Sequence, residues 1–180
     1  MNHTKLSRAY STWIDDSLKP DIYVVATVKQ HIFVHSHESR MRIVGDQDRY
    51  AAIYDQFICR LSKAVFGAKN WRRHKKRIAN AATLEGNGYR PVVDCGITKK
   101  SVGHLNRTQS VFPQVRYHLN MMFRRPAHLT FEQFEAIIYD VWMQSEWALA
   151  DILIEERTGQ CVAYSCKEGP ETILTNSMRF

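Results

Sequence analysis

Near the end of the chain, in "VAYSCKEG" (162–169), Tyr164 and Lys167 stand three positions apart. Residues three apart on a helix share a face, so both side chains would point the same way. A phenol can attack a phosphodiester, but its ordinary pKa is about 10 and little phenolate exists at neutral pH. A neighbouring ammonium favours the phenolate and neutralises the charge that develops on the phosphate. Chance supplies tyrosine–lysine pairs at this spacing often enough that the pair means little alone, and a tyrosine packed under a helix is the plainer reading. A second group of residues raises its weight.

In "RYHLNMMF" (116–123), a strand would put His118 and Asn120 on one face and Leu119 on the other. Glu85, in "TLEGN" (83–87), ends the strand expected beside it and supplies a third ligand. Imidazole nitrogen with amide and carboxylate oxygens is a fairly hard set, suited to Mg²⁺ or Mn²⁺ rather than to a zinc site built on thiolates. Such an ion would polarise a scissile phosphate and orient it for in-line attack. A single histidine on a strand is more often a hydrogen-bonded structural residue, so the weight rests on the joint pattern.

These residues need a sheet to hold them. A short amphipathic helix over 5–18 ends before Pro20, which cannot continue it. "DIYVVATVKQHIFV" (21–34) is dense in β-branched and aromatic residues and reads as one strand, followed by a polar loop. From Asp46, apolar residues recur at three- and four-residue steps in a helix ending near Gly67. Strands follow at 77–86 and 114–125, then a helix opened by the capping-box spacing Thr130-x-x-Gln133. A strand over 149–157, a short helix over 158–169 and a final strand over 171–177 complete the order. Residues 87–114, rich in Gly, Asn, Pro, Ser and Thr, read as a loop insertion with a short strand at 90–97. The expectation is one α+β domain over 1–180, its central, mostly antiparallel sheet in the order β-α-β-β-α-β-α-β and flanked by helices.

The 180 residues carry 25 Lys and Arg against 18 Asp and Glu, a net charge of +7 and a pI near 9.3. The excess gathers in "NWRRHKKR" (70–77), "ITKK" (97–100) and "FRRP" (123–126). A polyanion such as nucleic acid is the natural partner. Arg72, Arg73, Lys75 and Lys76 are candidates to grip phosphates, as are Arg124 and Arg125, which follow the ligand strand directly and so are expected near the site. Trp71, Tyr89 or Tyr117 would stack on unpaired bases. No apolar stretch is long enough to cross a bilayer and the start has no signal-peptide core, so a cytoplasmic protein without a membrane partner is expected. Cys59, Cys95, Cys161 and Cys166 show no C-x-x-C spacing and are read as reduced, mostly buried thiols. No G-x-x-x-x-G-K-[ST] motif occurs, so strand separation would fall to a host helicase and copying to a host polymerase.

The succession of a strand with "LEG", a strand with "YHLNMMF", a helix, a strand and a helix with "YSCK" resembles the HUH endonucleases. That superfamily includes rolling-circle replication initiators, relaxases and single-strand transposases of mobile genetic elements. The resemblance covers the topology of about residues 21–177 and short motifs within it. It implies metal-dependent nicking of single-stranded DNA, in which a tyrosine becomes linked to the 5′ phosphate and a 3′ hydroxyl is left free. It assigns Tyr164 as nucleophile, His118 and Asn120 to the two histidine positions of the metal motif, and Glu85 to an acidic ligand. Lys167 matches the lysine after the tyrosine in single-tyrosine initiators of rolling-circle replication. Asn120 departs from the motif's second histidine, which puts metal affinity or ion preference in question; some viral initiators carry an amide there. His104, in the insertion, would be a substitute imidazole. The substrate would be a single-stranded origin, bare or folded as a hairpin, and a homodimer would bring two tyrosines to strand transfer. The competing reading is a non-catalytic binder of single strands on an RRM-like sheet. Against it, "YHLNMMF" has a metal-type pair where stacking rings would be expected.

Overall fold

The computed structural model describes residues 3–35, 39–86, 116–157, 161–167 and 172–180. The expected insertion, its strand at 90–97, Tyr89, Cys95, Lys99, Lys100 and His104 lie outside the described residues. The fold is α+β, with a four-stranded antiparallel sheet flanked by helices. In chain order the elements are α1 (His3–Leu18), β1 (Ile22–Val28), β2 (His31–His35), β3 (Arg40–Val44), α2 (Gln47–Arg73), β4 (Asn80–Glu85), β5 (His118–Phe123), α3 (Phe131–Met143), β6 (Ala148–Glu156) and α4 (Cys161–Ser165). A 3₁₀ turn at Thr175–Ser177 lies near the end. Among the described residues, no helix is long and apolar enough to cross a membrane.

The sheet runs β4-β5-β1-β6 with every neighbour antiparallel. Side chains alternate between its faces. Ile22, Val24 and Ala26 share one face with Leu119, Met121 and Phe123, and α2 and α3 close over it with Tyr54, Phe57, Leu61, Phe134, Ile138 and Trp142. Full burial of each such aliphatic or Phe side chain contributes on the order of 1.5–3 kcal/mol. The capping box at Thr130 is present in both directions, Gln133 N–H donating to the Thr130 hydroxyl and Thr130 N–H to the Gln133 side chain. The core face is therefore tightly specified.

The opposite face is only partly covered. Ile14 and Leu18 of α1, Val162 of α4, Cys166, Ile173 and Met178 pack on Ala81 and Met122. Arg157, just past β6, holds α1 in place by gripping both carboxylate oxygens of Asp15 at 2.7 and 2.6 Å. Fork-to-fork geometry makes such a pair strong and directional. The cover is thinnest over β6, where Leu153 is exposed, whereas Thr83, Glu85 and Asn120, toward the end where β4 stops and β5 begins, are buried.

Four expectations are corrected. Residues 21–34 are two strands, since β1 stops at Val28 and β2 pairs with β3 in a separate ribbon where a loop was expected. The helix expected to stop near Gly67 resumes beyond a kink there (φ 78°, ψ 154°) and runs to Arg73, because glycine takes this turn without a Cβ penalty and the residues after it favour helix. Of the strand expected over 171–177, the described residues 172–177 form none: Ile173 and Arg179 make isolated bridges to Thr83 and Asn80 around the 3₁₀ turn. Of the described cysteines, Cys166 is buried, Cys161 half-buried and Cys59 exposed on α2.

Candidate functional site

Glu85 is the last residue of β4 and His118 the first of β5, and the antiparallel register sets them opposite each other. Asn120 lies two residues along on the same face, opposite Thr83. The structure thus brings together all three expected ligand positions. Gly86, the residue after Glu85, has φ 116°, and a Cβ there would sit 2.6 Å from the Arg116 carbonyl oxygen. That carbonyl accepts from His118 Nδ1 at 3.0 Å. Since a carbonyl only accepts, Nδ1 carries a proton, so Nε2 is the nitrogen turned to Glu85: it donates to the carboxylate when the ring is protonated and would be free to coordinate an ion when it is not.

Nε2 faces Glu85 Oε2 at 3.4 Å, and Lys167 Nζ reaches the same oxygen at 3.2 Å. Glu85 is 1% exposed. Burial alone would raise its carboxyl pKa, but hydrogen bonds from His118 and Lys167 outweigh it and hold the group below the usual range. Its hydrogen bond to Glu85 moves His118 the other way, upward. Burial would lower Lys167, yet Tyr164 and Glu85 together raise it, so it is an ammonium at neutral pH. The Lys167 Nζ also lies 3.5 Å from the centroid of the Tyr164 ring, which is 56% exposed on α4. α4 closes at Ser165, and the turn bond from Lys167 N–H to the Tyr164 carbonyl at 3.1 Å keeps the two side chains together. Lys167 is the bridge between an accessible phenol and a buried carboxylate.

Three buried polar atoms on this patch have no hydrogen-bond partner among the described residues: Glu85 Oε1, Asn120 Nδ2 and Thr83 Oγ1. An unmet buried polar group costs about 1–3 kcal/mol, so a water or ligand that met these three atoms would be stabilised here. A divalent cation fits the donor set: a carboxylate oxygen without a partner, an imidazole nitrogen whose other nitrogen is already held, and an amide oxygen with a second lone pair. Glu85, His118 and Asn120 are the residues that would hold it.

Sequence reasoning missed Tyr23 and Ser165. Tyr23 donates from its hydroxyl to Asn120 Oδ1 at 2.9 Å, fixing the amide's orientation, and Ser165 Oγ lies 3.4 Å from that hydroxyl while donating to the Cys161 carbonyl. Burial is the main cause that raises the Tyr23 pKa, so this phenol stays protonated. The signal was present in "IYVVATV", whose alternation places Tyr23 and Thr27 on the face of Asn120 and His118.

The expected basic residues are not at the site. Arg124 and Arg125 follow the far end of β5, roughly 20 Å from His118 at 3.4 Å per residue. Their guanidinium groups donate to the carbonyls of Ser17 and Leu129. This corrects the expectation that they stand near the ligands. Arg72 and Arg73 line a groove with Ala68 and Lys69 at the end of α2, and Lys75 and Lys76 follow before β4, again at the end of the sheet away from Glu85. Of the stacking candidates, Tyr117 packs its ring on Tyr50 at 4.9 Å, and Trp71 is half-buried beneath Arg77. No family model, curated protein or solved structure matches the chain.

Proposed function

We propose that this protein is a metal-dependent endonuclease and strand transferase of single-stranded DNA, nicking an origin through a covalent 5′-phosphotyrosine to start rolling-circle replication. The observation that carries the reading is the shared Glu85 carboxylate, which His118 and Lys167 both approach while the Lys167 ammonium lies on the Tyr164 ring. Tyr164 Oη attacks phosphorus, the Tyr164 Oη–P bond forms, and the P–O3′ bond breaks. The electron pair leaves on the 3′ oxygen, which takes a proton and departs as a hydroxyl, while the phenolic proton goes to solvent. Lys167, held as an ammonium, is no base; it offsets the negative charge that develops on the phosphate. Mg²⁺ or Mn²⁺ bound by Glu85, His118 and Asn120 would polarise the scissile phosphate. Tyr23 orients Asn120, and the Arg116 carbonyl orients His118. The phosphotyrosine conserves the bond energy for rejoining, so one site serves cutting and strand transfer. A host helicase and polymerase would do the unwinding and copying, and a homodimer would supply a second tyrosine. The resemblance to HUH endonucleases supports the same reading.

The test is a denaturing gel of protein with a pool of labelled single-stranded oligonucleotides that includes the element's own origin strand. The expected result is a band above the free protein that needs Mn²⁺, disappears with EDTA and is absent in Tyr164→Phe, which still binds the oligonucleotide. An adduct that persists in Tyr164→Phe would move the nucleophile elsewhere. Salt-dependent binding of single strands with no adduct under any condition would favour the alternative, a non-catalytic binder on an RRM-like sheet.

A further inference from the structure

The ribbon of β2 and β3 stands apart from the main sheet and grows from the site end of β1. Thr27 pairs with His118, and β2 begins four residues later, within about 14 Å along the chain. Its inner face is seated by Ile32 and Ile43, which pack on the main core. The register puts His31, Phe33 and His35 of β2 on the other face with Arg40 and Arg42 of β3, and neither strand contains an acidic residue. Phe33 is 42% exposed. The Arg40 guanidinium lies 3.8 Å over the Phe33 ring, His31 meets that ring edge-on at 5.3 Å, and Arg42 Nη2 is 3.3 Å from His31 Nδ1. A cationic, aromatic face whose two strands carry no acid is complementary to a polyanion that also presents flat apolar rings.

We infer that the outer face of this ribbon binds the single strand that feeds the Tyr164 site, an assignment that rests on the nicking reading for its connection to catalysis. An unpaired base stacks on the layered Phe33 and Arg40, and Arg42 pairs with a neighbouring phosphate. A duplex keeps its base faces stacked inside, so the aromatic layer selects for unpaired strands. The ribbon holds the strand a few nucleotides from the phosphate to be cut.

The experiment is fluorescence anisotropy of a labelled oligothymidylate with the full chain in EDTA, where no cutting occurs, alongside the Mn²⁺-dependent adduct assay at saturating origin strand. Phe33→Ala should weaken binding about tenfold or more, and Phe33→Trp should restore it. Arg42→Gln should reduce the slope of log affinity against log salt by about 0.7, the value for one phosphate contact on a single strand. Each variant should keep the wild-type melting temperature and still form the adduct at saturation. Unchanged affinity in the folded ribbon variants, or equal affinity for a duplex of the same length, would overturn the inference even where wild type forms the adduct. Weakened binding in Phe33→Ala with no adduct from wild type would uphold the ribbon and defeat the nicking reading.

Discussion

The two ends of the four-stranded sheet handle polar groups differently. At the end where β4 begins, Asn80 is fully buried and fully used: its amide oxygen accepts from Tyr54 Oη at 2.6 Å and its amide nitrogen donates to the Ile78 carbonyl. Nearby, Arg124 and Arg125 reach backbone carbonyls and Arg125 N–H donates to Asp21, with Arg125 Nε left unmet. At the other end, Glu85, Asn120 and Thr83 leave buried polar atoms unmet, and an ammonium and an imidazole crowd one carboxylate oxygen. The first end is polar chemistry spent on holding the fold together. The second gathers unmet buried polar atoms around one shared carboxylate, at a cost in stability.

The contrast is sharpest when broken at His118. His118→Ala removes the imidazole, and nicking should vanish at every Mn²⁺ concentration while the fold survives; full activity in this variant would remove the metal site. A smaller effect is expected from Tyr23→Phe, which deletes the hydroxyl that orients Asn120. Measured by Mn²⁺ titration of nicking, it should raise the half-saturating concentration about 10–100-fold, as loss of an outer partner does at other metal sites. An unchanged titration would mean that Asn120 is no ligand.

The smallest expected effect is a pH signature in the metal-free protein. His118 has a raised pKa, so its pairing stabilises the fold fully below about 6.5 and fades as pH rises through the folded value. Glu85 has a lowered pKa, so its contribution is present above about 4.3 and is lost as pH falls through the folded value. The melting-temperature gap between wild type and His118→Ala in EDTA should therefore be widest between those limits and narrow on both sides. A gap that grows steadily into alkaline solution would contradict the pairing. Substitutions among the satisfied groups of the far end, such as Arg124→Gln, should show no such window.

Much of the site end was legible because its residues obey short-range rules. Alternation along "HLNMMF" placed His118 and Asn120 together, antiparallel pairing put Glu85 opposite His118, and Lys167 stays by Tyr164 even though α4 closes at Ser165. Thr130 and Gln133 met at the predicted helix start for the same reason. The ribbon was not legible: the β-branched run continues through Lys29 and Gln30 with no Gly or Pro to mark a break, so two strands read as one. The basic residues misled in a related way. "NWRRHKKR" and "FRRP" are dense along the chain but fold to the end away from Glu85, while Arg40 and Arg42, inconspicuous in sequence, stand on the ribbon at the site end. Nearness in sequence predicts nearness in space only within one element.

The most direct test of the account is to locate the adduct by mass spectrometry after trypsin and nuclease digestion. Cleavage after Arg157 and Lys167 releases a peptide in which Tyr164 is the only tyrosine. The account predicts a nucleotide mass on that peptide, fragmenting to Tyr164, when the protein has met origin strand and Mn²⁺. The same mass on a peptide carrying any other tyrosine would contradict it.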